Sequence, residues 1–291
     1  MVRRPRGWWA TIRRIWITLG IGATVIFVGW SLLAYRASGE AREALKSDGT
    51  VTVTHGAHHW RFEPAGRSAT VGLIFYPGAL VNPVAYAPLL RSVAASGYPA
   101  VLIEVPRRGG FGGAEGAEPL NRGVHATREV PEVKRWVVAG HSRGGVIASR
   151  LARTNAGSIV GLVLIGTSHP RDFSLANSGL RVTRVYGTRD TVAEVEKLER
   201  TKPNLPAAAR HVRIDGGNHS QFGFYGFQPG DWPATISRAE QQRLTLEAVL
   251  EVLKGSELEF VGSNFLVPAP ELTLASKSWR RQIQALTPPQ N

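Results

Sequence analysis

Cysteine is absent from the 291 residues. That excludes disulfides, cysteine-ligated zinc, iron–sulfur clusters and a thiol nucleophile, and it leaves the redox compartment unread. Acidic residues are missing from the first 36 positions, where Arg3, Arg4, Arg6, Arg13, Arg14 and Arg36 stand unopposed. These six account for much of the net charge of +13 and leave +7 for the remainder. Zinc-finger and RNP-type patterns are missing as well, and beyond residue 36 the basic residues interleave with Glu and Asp. Nucleic acid is therefore not an expected partner. The glycine-rich stretch PRRGGFGGAEG (106–116) has no P-loop lysine and does not open a helix as a dinucleotide fingerprint does. It reads as a mobile loop near a strand's carboxyl end, with Arg107 and Arg108 available to an anionic substrate. No internal repeats occur, and no cofactor is implied.

Charge is also absent from Ile15 to Tyr35, 21 residues reading IWITLGIGATVIFVGWSLLAY. About 20 apolar residues span a hydrocarbon core. Five arginines precede the stretch, and Trp8, Trp9, Trp16, Trp30 and Tyr35 lie near its ends as interfacial aromatics do. A signal peptide is the competing reading, but its apolar region runs about 7–15 residues. The expectation is a single-pass anchor in the cell membrane, with a basic segment (1–14) inside, a helix (15–35) across, and the rest extracytoplasmic after a stalk (36–50).

Beyond residue 50, buried strands alternate with helices. Val51–Thr54 and Trp60–Phe62 suggest a hairpin over His55, His58 and His59; these histidines lack a carboxylate or fourth ligand at familiar spacing, so an exposed turn and no metal site are expected. ATVGLIFY (69–76) and Pro99–Val105 read as strands around a helix at Pro83–Ser96. Arg135–Ala139, Ile159–Ile165, Arg181–Tyr186 and His211–Ile214 complete the strands, with helices at 117–130, Val146–Thr154, Val192–Arg200 and Ser237–Lys254. This order predicts an α/β fold, a mostly parallel, doubly wound sheet over residues 51–254. Residues 255–291 show no periodicity and are left as an extension.

Val137-Val138-Ala139-Gly140-His141-Ser142-Arg143-Gly144-Gly145 is a strand running into a tight turn before a helix. Gly140 and Gly144 give the G-x-S-x-G spacing, which exposes a serine hydroxyl on a strained turn. A serine needs a base to take its proton, and the base needs a carboxylate to fix its tautomer. Asp190 follows the strand 181–186, and His219 follows 211–214. Serine, then acid, then histidine is the α/β-hydrolase order, and all three fall at strand carboxyl ends. Asp172 is a rival acid, whereas His211 is expected inside a strand and His141 is expected to shape the turn. An oxyanion needs two donors. The expected ones are the backbone N–H of Arg143 and that of Ala79, with Gly78 as the alternative.

YPGALVNPVAYAPL (76–89), WVVAGHSRGG (136–145), VYGTRD (185–190), GGNHSQFGFYGFQPGD (216–231) and ATISRAEQQ (234–242) resemble the α/β-hydrolase superfamily. Within it they are similar to the alpha/beta hydrolase fold-5 group, dienelactone hydrolase-like serine hydrolases. The likeness spans about residues 69–254. It implies an α/β-hydrolase fold and hydrolytic chemistry; members usually carry leucine where Arg143 stands. The reading is a serine hydrolase of carboxylic esters acting through an acyl-enzyme, with a catalytically silent surface binding protein as the alternative. Only Gly166–Leu180 separates two successive strands, too short for a helical cap. A shallow site and a preference for short or compact acyl groups are expected, unless the 106–116 loop or the aromatic stretch 222–227 folds over it.

Overall fold

A computed structural model describes residues 7–66, 69–155 and 157–265. It opens on α1 (Gly7–Ala34), which begins before the predicted Ile15 and takes in Arg13 and Arg14. Among the described residues, Gly7–Trp30 of this helix is long and apolar enough to cross a membrane by length and composition. A signal sequence passes the same test. Ile17, Leu19, Ile21, Val25 and Ile26 lie exposed along it.

Residues 36–50 include a short helix and pack on the domain. After α1 comes the short helix α2 (Gly39–Glu43), capped by the Ser38 side chain on the N–H of Ala41. Ala37, Ala41 and Ala44 are buried in the main core. Small side chains permit this close approach, and Arg91 fixes the end of the segment by donating to the carbonyls of Ala44 and Lys46. The end of α1 is tied in as well: Gly226 donates to the Ala34 carbonyl and Asn82 to that of Tyr35.

The hairpin β1 (Val51–His55) and β2 (His59–Pro64) forms as expected. Then β3 (Val71–Tyr76) leads to a single 3₁₀ turn at Pro83–Tyr86 and to α3 (Ala87–Ala95). The apolar spacing predicts one continuous helix from Pro83; the Asn82 side chain instead accepts from Val84 and sets up the tighter turn. Next come β4 (Ala100–Ile103), α4 (Glu118–Thr127), β5 (Arg135–His141), α5 (Arg143–Thr154) and β6 (Ile159–Ile165). The chain finishes with β7 (Arg181–Gly187), α6 (Val195–Arg200), β8 (Arg210–Ile214) and α7 (Arg238–Phe265). Helix α6 starts later than predicted because the Asp190 carboxylate takes the N–H groups of Val192 and Ala193.

The eight strands form one sheet in the order β1-β2-β4-β3-β5-β6-β7-β8, antiparallel at β1–β2 and β2–β4 and parallel thereafter. The parallel strands are covered on both faces, which explains their unbroken apolar runs. Leu73 and Phe75 of β3 point to one core, shared with Val249 and Leu253 of α7. Ile74 and Tyr76 point to the other, shared with Ile147 and Leu151 of α5. Helix α7 runs past the predicted Lys254. There its apolar stripe gives way to polar anchoring: Glu257 accepts from the N–H groups of Thr70 and Val71, and Glu259 pairs with Arg181.

The interior also holds a cationic side chain. Arg184 of β7 is fully buried, and it donates to the carbonyls of Leu198 (2.9 Å) and His169 (3.1 Å). Burial pulls its guanidinium down to about 10, against the pull of Glu199. Truncation orphans two carbonyls and leaves a cavity. Arg184→Ala should cost about 3 kcal/mol. Circular dichroism melts of the full chain should then show a midpoint lower by about 6–12 °C.

Candidate active site

The turn after β5 requires glycine by contact. A Cβ on Gly140 meets the Gly144 carbonyl oxygen at 2.3 Å, and one on Gly144 meets the Tyr76 oxygen at 2.1 Å. With both positions reduced to hydrogen, β5 passes straight into α5. The residue between is held at φ 53°, ψ −118°, a conformation L-residues avoid. That residue is Ser142, half-buried, with its N–H on the Ile165 carbonyl at 2.9 Å. It stands at the first turn of α5, where unpaired backbone N–H groups favour negative charge.

Parallel register places the other groups at the same sheet edge. β7 ends at Gly187 opposite Ile214 of β8. The turns after these two strands bring Asp190 and His219 together, with Asp190 Oδ2 to His219 Nδ1 at 2.8 Å and both side chains fully buried. The other Asp190 oxygen accepts from Val192 (2.9 Å) and Ala193 (2.7 Å), so the carboxylate has one orientation. His219 Nε2 is buried and has no hydrogen-bond partner among the described residues. The histidine turn is braced from behind. Asp231 accepts from the N–H of His219 and from the N–H and hydroxyl of Ser220. Gln241 of α7 closes a two-way pair with the Asn218 backbone. Both braces lie in the motif segments 216–231 and 234–242, yet sequence reasoning assigns neither a role.

His141 is buried, its ring 4.4 Å from that of His219. The hydroxyl of Tyr86 accepts from the Gly78 N–H (3.1 Å) and lies 2.7 Å from His141 Nδ1. Burial, then the neighbouring His219, holds His141 well below the ordinary histidine pKa. It is neutral and adds no charge beside His219. Sequence reasoning misses Tyr86 too; its one signal is a lone large polar ring among small residues. Because Gly78 is spent on Tyr86, the N–H left without a partner at this turn, among the described residues, is that of Ala79. The rival acid, Asp172, is exposed and acts electrostatically on His169 instead. His211 lies within β8.

The 106–116 loop packs on this edge. Leu80 donates to the Arg108 carbonyl at 2.7 Å, and Arg143 forms an ion pair with Glu115. Arg107, Arg108 and Phe111 have φ of 49°, 51° and 47°, and Leu80 has φ 65°. Such strain in four non-glycine residues gathers at functional edges. The side chain of Arg143 is thus engaged with the loop. Away from the site, His55 stacks on Trp60 at 4.0 Å and approaches Glu104, while His59 pairs with Glu129.

His141 and His169 share a consequence for pH. Burial and then Arg171 hold His169 at about 4, below its ordinary 6.5. Between those values the unfolded chain binds protons that the folded chain refuses, so stability rises with pH across this window. The thermal midpoint of the full chain should fall as pH drops from 7 to 5. His169→Gln should reduce that fall; an unchanged slope would remove His169 from the account.

Several known proteins share this architecture. The fold matches TT1662 from Thermus thermophilus (TM-score 0.52, 15% identity, 70% of this chain and 98% of that one). It also matches a predicted CIB-like hydrolase from Thermoplasma acidophilum (TM-score 0.53, 12% identity, 68% and 97%). A third is a membrane phospholipase A described as a bacterial virulence factor (TM-score 0.52, 15% identity, 85% and 98%). At these identities the likeness is one of fold. No curated protein sequence matches the chain. The sequence profile of the Alpha/beta hydrolase family covers residues 72–243, from β3 into α7 and across the turns of Ser142, Asp190 and His219, and the chain belongs to that family.

Proposed function

We propose that the protein is a membrane-anchored serine hydrolase that cleaves carboxylic esters through an acyl-enzyme. One observation carries the reading: a buried Asp190–His219 pair, with Nε2 free, on the sheet edge that holds Ser142 in its strained turn. In this mechanism the Ser142 hydroxyl attacks the ester carbonyl while His219 Nε2 takes its proton. Asp190 holds the tautomer with Nε2 unprotonated and stabilises the imidazolium. The tetrahedral oxyanion accepts from the backbone N–H groups of Arg143 and Ala79. His219 then protonates the leaving alcohol. Water, deprotonated by the same histidine, releases the acid.

A neutral His141 supports this assignment, because a second cation 4.4 Å from His219 would oppose the imidazolium. The silent-binder alternative has no observation in its favour. Nor does the structure retain the grounds for a shallow site. The segment between β6 and β7 carries no helix, but the 106–116 loop lies on the oxyanion turn and supplies a wall that the cap would have given. The preference for short acyl groups loses its premise.

A fluorophosphonate probe should label the wild type and not Ser142→Ala. A wild type that is folded by circular dichroism yet unlabelled would sink the enzyme reading. Ser142→Ala and His219→Ala should each lower kcat/KM on nitrophenyl acetate by more than about a thousandfold, and the double variant little further. Asp190→Asn should lose somewhat less. If Asp172→Asn were the damaging change and Asp190→Asn silent, the acid assignment would fail.

Topology follows from the arginines before α1: the amino terminus stays in the cytoplasm and the hydrolase domain is exported. A reporter active only in the cytoplasm, fused after Asn291, should stay dark. A bright fusion places the domain inside.

A further inference from the structure

The joint between α1 and the domain has a direction. Both hydrogen bonds at it come from the catalytic edge of the sheet: Asn82 follows β3 and Gly226 follows β8. Tyr35 and Tyr225 also meet there, ring centroids 6.2 Å apart. With residues 36–44 packed on the domain, a helix that spans the bilayer presses the catalytic edge onto the membrane surface.

Beside that joint a cavity of about 750 Å³ opens, walled by Phe27, Val28 and Tyr35 on one side. Leu80, Arg107, Arg108 and Phe111 form the other side. Leu80 is the next residue after Ala79, the proposed oxyanion donor. Phe27 and Val28 belong to the stretch Gly7–Trp30 that is apolar enough to cross a membrane, so a spanning α1 would set this wall within the hydrocarbon. Phe111 is 84% exposed at the tip of its strained loop. A ring so exposed beside a membrane helix suits insertion among acyl chains. The two arginines stand on the same loop, exposed and lining the same cavity.

We propose that this cavity receives an acyl chain of an anionic glycerophospholipid from the leaflet around the end of α1, and that this lipid is the substrate. The proposal rests on the membrane-anchored ester-hydrolase reading and names its substrate class. A chain sliding from bilayer hydrocarbon into an apolar cavity exchanges one hydrocarbon contact for another, so entry does not expose it to water. The arginines supply charge complementarity to the phosphate as hydrogen-bonding forks. They would hold the headgroup while the ester carbonyl reaches Ser142. Hydrolysis adds water across the ester: the hydroxyl goes to the acyl carbon, freed as a fatty acid. The proton goes to the glycerol oxygen of the lysolipid.

The test uses the full chain reconstituted in vesicles of dioleoylphosphatidylglycerol, with nitrophenyl acetate hydrolysis measured on the same preparation. The wild type should release oleic acid and Ser142→Ala should not. Val28→Trp, which fills the cavity, should lower the ratio of lipid to acetate hydrolysis at least tenfold. Ile26→Trp, on the opposite face of the helix, should leave that ratio within twofold of wild type. Acetate hydrolysis without oleate release overturns the proposal and leaves the ester-hydrolase reading standing. An unchanged ratio in Val28→Trp, or an equal fall in Ile26→Trp, also overturns it. No hydrolysis of either substrate overturns both.

Discussion

The hydrogen bond between Asp190 and His219 is the contact to which the carboxyl edge of the sheet is fitted. Both partners are buried, and a buried carboxylate without donors is costly. The surrounding chain answers that cost. Two backbone N–H groups fix the free oxygen of Asp190, and Asp231 and Gln241 fix the turn that carries His219. Helix α7 therefore does more than cover one face of the sheet. Its first turns hold the histidine, and its later turns hold β3 through Glu257. Removing any one brace leaves a buried polar group unpaired, which explains why so many are packed into residues 215–241.

Tyr86 and His141 form a second, quieter network next to the first. The Tyr86 hydroxyl takes up the Gly78 N–H, and burial keeps the His141 ring neutral beside His219. In the proposed mechanism the imidazolium on His219 meets a carboxylate on one side and no competing cation on the other. At the surface of the same edge, Arg143 and Glu115 neutralise each other.

Much of this is legible in the sequence. Gly140 and Gly144 announce the turn because only hydrogen fits there, and apolar runs announce strands covered on both faces. The order of Ser142, Asp190 and His219 follows from each sitting just past a strand end. The braces are not legible in the same way. Asp231 and Gln241 act through backbone contacts 12 and 23 residues apart, which no local periodicity records. The segment 36–50 misleads because alanines among charged residues look like a solvated helix. Their burial depends on surfaces supplied by distant strands. The last turns of α7 mislead for the opposite reason, since polar anchoring leaves no apolar stripe.

The joint between α1 and the domain has a bearing on how the chain reaches its final form. The Ala34 carbonyl is made early, but its partner Gly226 arrives roughly 190 residues later, and contacts so distant in sequence form slowly. Ser38 likewise waits for Phe224. In a chain synthesised from its amino end, α1 is complete long before the domain can grip it. The last segment to emerge before α7 closes the ring. The joint between helix and domain is thus acquired at completion, after the sheet is built.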